Sequence, residues 1–142
     1  MRVRRVDAAT LDLGPVRIGW DSATRRARNE HVVRSFIEAF LGEDLVTART
    51  YVCEDLRFRG TDPSGETVHL VGLDAVVEWG RRRRAVMQGH LSWQLVDLLS
   101  SEGRVAMLYE ELWGAPGSVV HPYVALYNVR QGRIESMRVD PR

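Results

Sequence analysis

Two runs of alternating residues carry the side chains of this sequence best suited to chemistry. Val105, Met107, Tyr109, Glu111 and Trp113 recur at every second position, and so do Val119, His121, Tyr123, Ala125 and Tyr127. Each set therefore shares one face of a β-strand. A carboxylate between Tyr109 and Trp113 needs a partner or a task, because an isolated charge on an apolar face is costly. Apolar surroundings would keep Glu111 protonated as a general acid, whereas a neighbouring arginine would keep it ionised as a base. The alternative without chemistry is an ion pair with one of the 20 arginines. His121 carries an imidazole, which exchanges protons near neutrality, and a phenol such as Tyr123 or Tyr109 can donate to a developing enolate or alkoxide oxygen. Against that, His121 stands beside Pro122 at a strand start, where a solvated ring at a pocket rim, or one satisfied in the core, needs no catalysis. Glu111, His121, Tyr123 and Tyr109 are the candidate catalytic residues. Glu110 falls on the opposite face, towards solvent.

The other reactive residue types are less suggestive. Cys53 is the single cysteine, so no internal disulfide forms; following Tyr51 and Val52, it reads as a small core residue with no evident base to make it a nucleophile. Every basic side chain is arginine, which removes Schiff-base chemistry by a side-chain amine. His31, His69, His90 and His121 lack His-x-His or His-x-x-x-His spacing, so no bound metal is expected. With neither Gly-x-Gly-x-x-Gly nor a Walker loop, no cofactor is expected either. Asp62-Pro63-Ser64-Gly65 reads as a turn, with Asp62 as a displaced base the alternative. Arg81 to Arg84 could grip a phosphate or carboxylate, but four consecutive residues fan around a helix with at most two on one face. A solvated helix end matched to the dipole is the preferred reading.

The elements that must position these residues follow from periodicity. Residues 1–28 form an arginine-rich extension in which Val16, Ile18 and Trp20 alternate over the length of one short strand. From Asn29 the pattern is helical, since Val33, Phe36, Ile37, Phe40 and Leu41 recur at i, i+3, i+4, i+7 and i+8 before Gly42. Asp44 caps a second, shorter helix, and Leu56, Phe58 and Gly60 alternate with Arg57 and Arg59 as a strand. A brief strand over 67–71 leads past Gly72 into a third helix with Leu73, Val76, Val77 and Gly80 inward. After Gly89 the period becomes two, giving strands near 91–99, 104–113, 119–129 and 133–139 joined by short turns, an antiparallel meander. The class is α+β, three helices followed by an antiparallel sheet folded over the long first helix.

With 142 residues, 44% of them hydrophobic, the chain builds one core. No apolar run approaches the ~18 residues of a membrane span, and no apolar block follows the basic start, so no membrane partner is expected and the cytoplasm is the expected compartment. A net charge of +1 offers no field for a polyanion, so no nucleic acid partner is expected.

The order of elements, together with AFLGEDLVTARTYVCEDLRF, VGLDAVVEW and YVALYNVRQGRIESMRVD, resembles the SnoaL-like members of the nuclear transport factor 2-like superfamily. The resemblance covers about 29–140, so 29–142 is read as one such domain behind the 1–28 extension. It implies a cone-shaped, curved antiparallel sheet packed on three N-terminal helices, a pocket between sheet and helices, a hydrophobic small-molecule ligand and a homodimer formed through the sheet. Carried over by position, the aspartate base of ketosteroid isomerase-like relatives falls on Gly60 and their tyrosine on Phe36. The acid shared with polyketide cyclases falls on Ala125. A carboxylate of the limonene epoxide hydrolase-like relatives falls near Glu111, with Tyr109 in place of their arginine. Their second acid falls on Val139, one residue out of phase with Asp140. If Ala125 marks the pocket side, His121 and Tyr123 face the ligand. Phe36, Phe58, Trp79, Trp93, Trp113 and Ala125 are the expected walls.

The leading expectation is thus a cofactor-independent enzyme using acid–base catalysis to cyclise, isomerise or open an epoxide in a polyketide- or terpenoid-like metabolite. The rival is a non-catalytic ligand-binding or dimerisation module of the same fold; a third, a protein-interaction domain, would leave an apolar patch on the open sheet. Enzyme and binding module diverge on whether Glu111, His121 and Tyr123 converge on an enclosed cavity.

Overall fold

Val32, Val33, Phe36 and Ala39 are buried along one side of a long helix, α1 (Val16–Leu41), and anchor the inner face of the sheet to it. The computed structural model describes residues 2–4, 16–62, 64–86, 91–114 and 119–142, with side chains from residue 23 onward. Residues 1 and 5–15 of the expected extension, Pro63 of the turn, Gly89, His90 and residues 115–118 lie outside the described residues. α1 begins at Val16 instead of near Asn29, so Val16, Ile18 and Trp20 are helical and not a strand. Two-residue alternation over so short a run does not distinguish the two states. The earlier turns escaped the apolar pattern because their buried face is polar. Arg26, Asn29 and Glu30 are buried, with Asn29 Nδ2 donating to the Glu102 carbonyl at 2.6 Å and Ser100 Oγ donating to Glu30 Oε1.

α1 stops where Glu43 turns to a left-handed φ of 57°, one residue beyond Gly42, whose N–H still donates to the Glu38 carbonyl at 3.0 Å. Asp44 then caps α2 (Leu45–Arg49) by accepting from the Thr47 N–H at 3.2 Å. The Thr47 side chain first, then its backbone N–H, holds the Asp44 carboxyl below its usual range.

The strands are β1 (Arg2–Arg4), β2 (Val52–Thr61), β3 (Thr67–Val71), β4 (Leu91–Ser100), β5 (Arg104–Trp113), β6 (Val119–Arg130) and β7 (Arg133–Pro141), with α3 (Leu73–Val86) between β3 and β4. Their order is β1-β4-β5-β6-β7-β2-β3. The β4–β7 meander is antiparallel, as its tight turns require, and β3 returns antiparallel to β2. The sheet as a whole is mixed, because β2 runs parallel to β7 and β1 parallel to β4. Register shifts at Leu95/Asp97, Val52/Arg57 and Asn128/Val129 insert extra residues that bend the strands, curving the sheet over α1 and α3. The result is the expected α+β cone. Phe36, Leu56, Val105, Ala125 and Ile134 are all 0% exposed at its centre. Burying a side chain the size of Phe36 or Leu56 contributes about 1.5–3 kcal/mol.

Candidate functional site

Between α1, α3 and the inner sheet face the cone keeps a cavity of about 240 Å³. Its aromatic wall is supplied in pairs. Phe36 and Phe40, one helical turn apart on α1, lie 5.7 Å apart by ring centroid, and Phe58 of β2 meets Trp79 of α3 at 5.0 Å and a 54° tilt. Trp93, Tyr109, Tyr127 and Val139 complete the sheet side. The Tyr109 and Tyr127 phenols are pushed well above their ordinary range by burial; for Tyr109 the neighbouring Tyr127, Glu111 and Tyr123 add to this and Arg83 opposes it. Both are neutral hydroxyls at physiological pH.

One end of the cavity is polar. Arg83 reaches from the last turn of α3 to Glu111 of β5 with two parallel hydrogen bonds, Nη1 to Oε2 at 3.1 Å and Nη2 to Oε1 at 2.8 Å. Trp93 Nε1 donates to the same Oε2 at 3.1 Å. The Glu111 side chain is 0% exposed and that of Arg83 is 19% exposed. The guanidinium also lies 4.9 Å above the Trp79 ring. Burial opposes the charge on Arg83, but Glu111 outweighs it and raises the guanidinium above its usual value. The buried Tyr123 hydroxyl stands beside this carboxylate without a hydrogen bond of acceptable geometry, and burial first, then Glu111, raises the phenol above its usual range.

The candidate residues divide between wall and backing. Phe36, Phe58, Trp79, Trp93 and Tyr109 line the cavity; Glu111, His121, Tyr123, Trp113 and Ala125 do not. Glu111 and Tyr123 are adjacent behind the wall, with Tyr123 stacked on Tyr109 at 5.5 Å and 15°. His121 is opposite Glu111 in the strand register, yet its ring packs on Trp113 at 3.8 Å, away from the cavity. Ala125 is fully buried between strands. Of the open alternatives for Glu111, an arginine ion pair is the arrangement found.

At Gly60 a Cβ would meet Phe58 Cε1 at 2.7 Å, Phe58 Cζ at 2.8 Å and Trp79 Cη2 at 3.2 Å. The volume that an acid would occupy there is filled by the aromatic pair. Asp62 forms the turn: its Oδ1 accepts from the Ser64 N–H at 2.9 Å, Ser64 Oγ at 2.5 Å and the Glu66 N–H at 3.0 Å. Burial raises its carboxyl, but these donors prevail and hold it below the usual range. Cys53 is half-buried on β2 and is not part of the cavity. Among the described residues no three His, Cys, Asp or Glu side chains cluster as metal ligands. No helix among them is long and apolar enough to cross a membrane.

The arginine run belongs to the cavity, contrary to the expectation of a solvated end. Arg81, Arg83 and Arg84 line it, and Arg82 alone points away, 3.9 Å from Glu78. Three consecutive-run members reach one cavity because 83, 84 and 81 span less than half the helix circumference and their side chains are long. Helical phase carries the missed signal. Arg83 and Arg84 stand at i+7 and i+8 from inward Val76, and at i+3 and i+4 from inward Gly80.

The family model described as a SnoaL-like domain matches residues 33–137. Among solved structures, Bal32a from a soil-derived mobile gene cassette superposes with a TM-score of 0.70 at 19% identity, covering 81% of this chain and 89% of that one. An NTF2-like protein of unknown function from Mesorhizobium loti gives 0.68 at 17% identity over 100% and 99%. A Kribbella flavida protein provisionally named a ketosteroid isomerase gives 0.65 at 15% over 86% and 80%. At these identities the likeness is one of fold. No curated protein matches the chain in sequence.

Proposed function

The chain belongs to the SnoaL-like domain family, and we propose that its cavity binds a small hydrophobic molecule, with Tyr109 as the hydrogen-bond donor that orients it. One observation carries this reading. The only carboxylate on the inner face of β5, Glu111, is held by Arg83 and Trp93 behind a wall that is mostly aromatic and aliphatic, its charged members confined to the end of α3 and to Glu43. Such a wall gains from apolar contact, while the buried charge is already satisfied by its partner. The experiment is a calorimetric titration with an apolar dye, in the wild type and in Val139→Phe, which fills part of the cavity. One equivalent bound, with at least about tenfold weaker binding in the variant, supports the reading. No binding to the wild type, or equal binding to both, overturns it.

A second reading, acid–base catalysis on a polyketide- or terpenoid-like metabolite, draws on a specific feature of the same wall. The Tyr109 phenol and the Arg83 guanidinium both border the cavity and could donate together to a developing oxyanion. Glu111 would become the base when Arg83 turns towards that oxygen. Turnover of an epoxide or a β,γ-unsaturated ketone of matching size, abolished in Glu111→Gln and Tyr109→Phe, would favour it; turnover undiminished by Glu111→Gln removes Glu111 from any mechanism.

We further propose, as the resemblance implies, that a second copy covers the outer sheet face. Leu108, Val124 and Leu126 are half-exposed there, and Val120 is 48% exposed.

A further inference from the structure

The mouth of the cavity is cationic in an uneven way. Arg83 is neutralised by Glu111 through two short hydrogen bonds. Arg84 has only a long contact to Glu43, 3.4 Å between groups whose side chains are 36% and 59% exposed, and its guanidinium leans over Trp93 at 5.6 Å. Arg81 is exposed on the cavity rim and has no acidic partner among the described residues. Arg81 and Arg84 are three residues apart, neighbours on one helix face. An apolar chamber thus ends in one unpaired and one loosely held guanidinium.

We propose that this rim is an anion subsite, and that the cavity takes an amphipathic molecule whose apolar body lies against Phe36, Phe40 and Trp93 and whose carboxylate sits between Arg81 and Arg84. This rests on the ligand-binding reading above and names the class of ligand. Both guanidinium forks match a carboxylate in shape and charge. The C-terminal end of α3 opposes an anion with about half a charge, less than the two full charges facing it. Glu43, exposed at the same rim, gives way by turning to solvent, because its pairing with Arg84 is a screened surface contact. The cavity of about 240 Å³ restricts the body to a small or medium-length hydrocarbon.

Octanoate, 1-octanol and octylammonium share one apolar body and differ in the head group, so calorimetric titration of the full chain with each at low salt isolates the rim. Octanoate is expected to bind at least about tenfold tighter than the alcohol, with octylammonium weakest. Arg81→Gln should erase the preference for octanoate while leaving octanol binding unchanged. Arg82→Gln, which removes the same charge from a side chain pointing away from the cavity, should preserve it. Equal affinity for octanoate and octanol, or an equal loss in Arg81→Gln and Arg82→Gln, overturns the anion subsite but leaves the apolar pocket intact. If none of the three binds while the dye does, the inference also fails and the binding reading survives; if the dye fails too, that reading falls on its own test.

Discussion

Arg83 and Glu111, 28 positions apart in sequence, join a helix end to the middle of the sheet through a bidentate pair of 3.1 and 2.8 Å. The carboxylate is wholly enclosed, so its partner is not dispensable. Arg83→Met should lower unfolding free energy by about 3–5 kcal/mol, because it leaves a buried carboxylate with the Trp93 indole as its remaining donor. Adding Glu111→Leu should restore most of the loss. Urea unfolding of both variants decides it: a single-variant cost below about 1 kcal/mol would mean that the pair behaves as a surface salt bridge.

Gly60 is forbidden a side chain by its own strand. Gly60→Ala drives a methyl into the Phe58 ring, and that ring is itself held by Trp79. The expected cost is about 1–3 kcal/mol from overpacking, reduced in a Phe58→Leu background where the ring edge is gone. Thermal melts of the two single variants and the double variant test the coupling. Strict additivity would show that the collision is relieved by some other movement.

The sequence made Glu111 conspicuous, since two-residue spacing put it between Tyr109 and Trp113 on a buried face, and the structure encloses it completely. Its partner was not legible in the same way. Four identical arginines stand at 81–84, and only helical phase and the reach of the last turn of α3 to Glu111 of β5 single out Arg83. The strands of the meander were legible because their turns are short, whereas the β2–β7 parallel pairing joins residues about 80 apart and leaves no local trace. Likewise, the lack of an aspartate at Gly60 could be counted along the chain, but not the Phe58 and Trp79 rings that occupy its space. The start of α1 was not legible because its early buried residues, Arg26, Asn29 and Glu30, are polar.

The outer face of the sheet provides a test of assembly. Val124 and Leu126 project from β6 beside Leu108 of β5, all half-exposed. Val124→Arg with Leu126→Glu should convert a dimer to a monomer in sedimentation equilibrium, with the octanoate and dye affinities unchanged because the cavity is on the opposite face. A wild-type chain that is monomeric at micromolar concentration would remove the second copy as the occupant.

Alkaline pH should weaken the fold through its buried phenols. Tyr109, Tyr123 and Tyr127 are each raised above the ordinary tyrosine value of 10.0, in every case chiefly by burial, which disfavours the phenolate. The unfolded chain therefore releases these protons first, near pH 10, while the folded chain keeps them. Their contribution is complete below about pH 10 and is lost progressively as pH rises above it, with a limiting slope of about 1.4 kcal/mol per pH unit for each phenol. Urea midpoints should be flat from about pH 7 to 9 and fall steeply from about pH 10 to 11, and Tyr127→Phe should remove one proton from that slope. A midpoint unchanged to about pH 11 would mean that the folded protein ionises these hydroxyls as readily as the unfolded chain does. That outcome would place water at the Tyr109 end of the cavity and undo the apolar wall on which ligand binding depends.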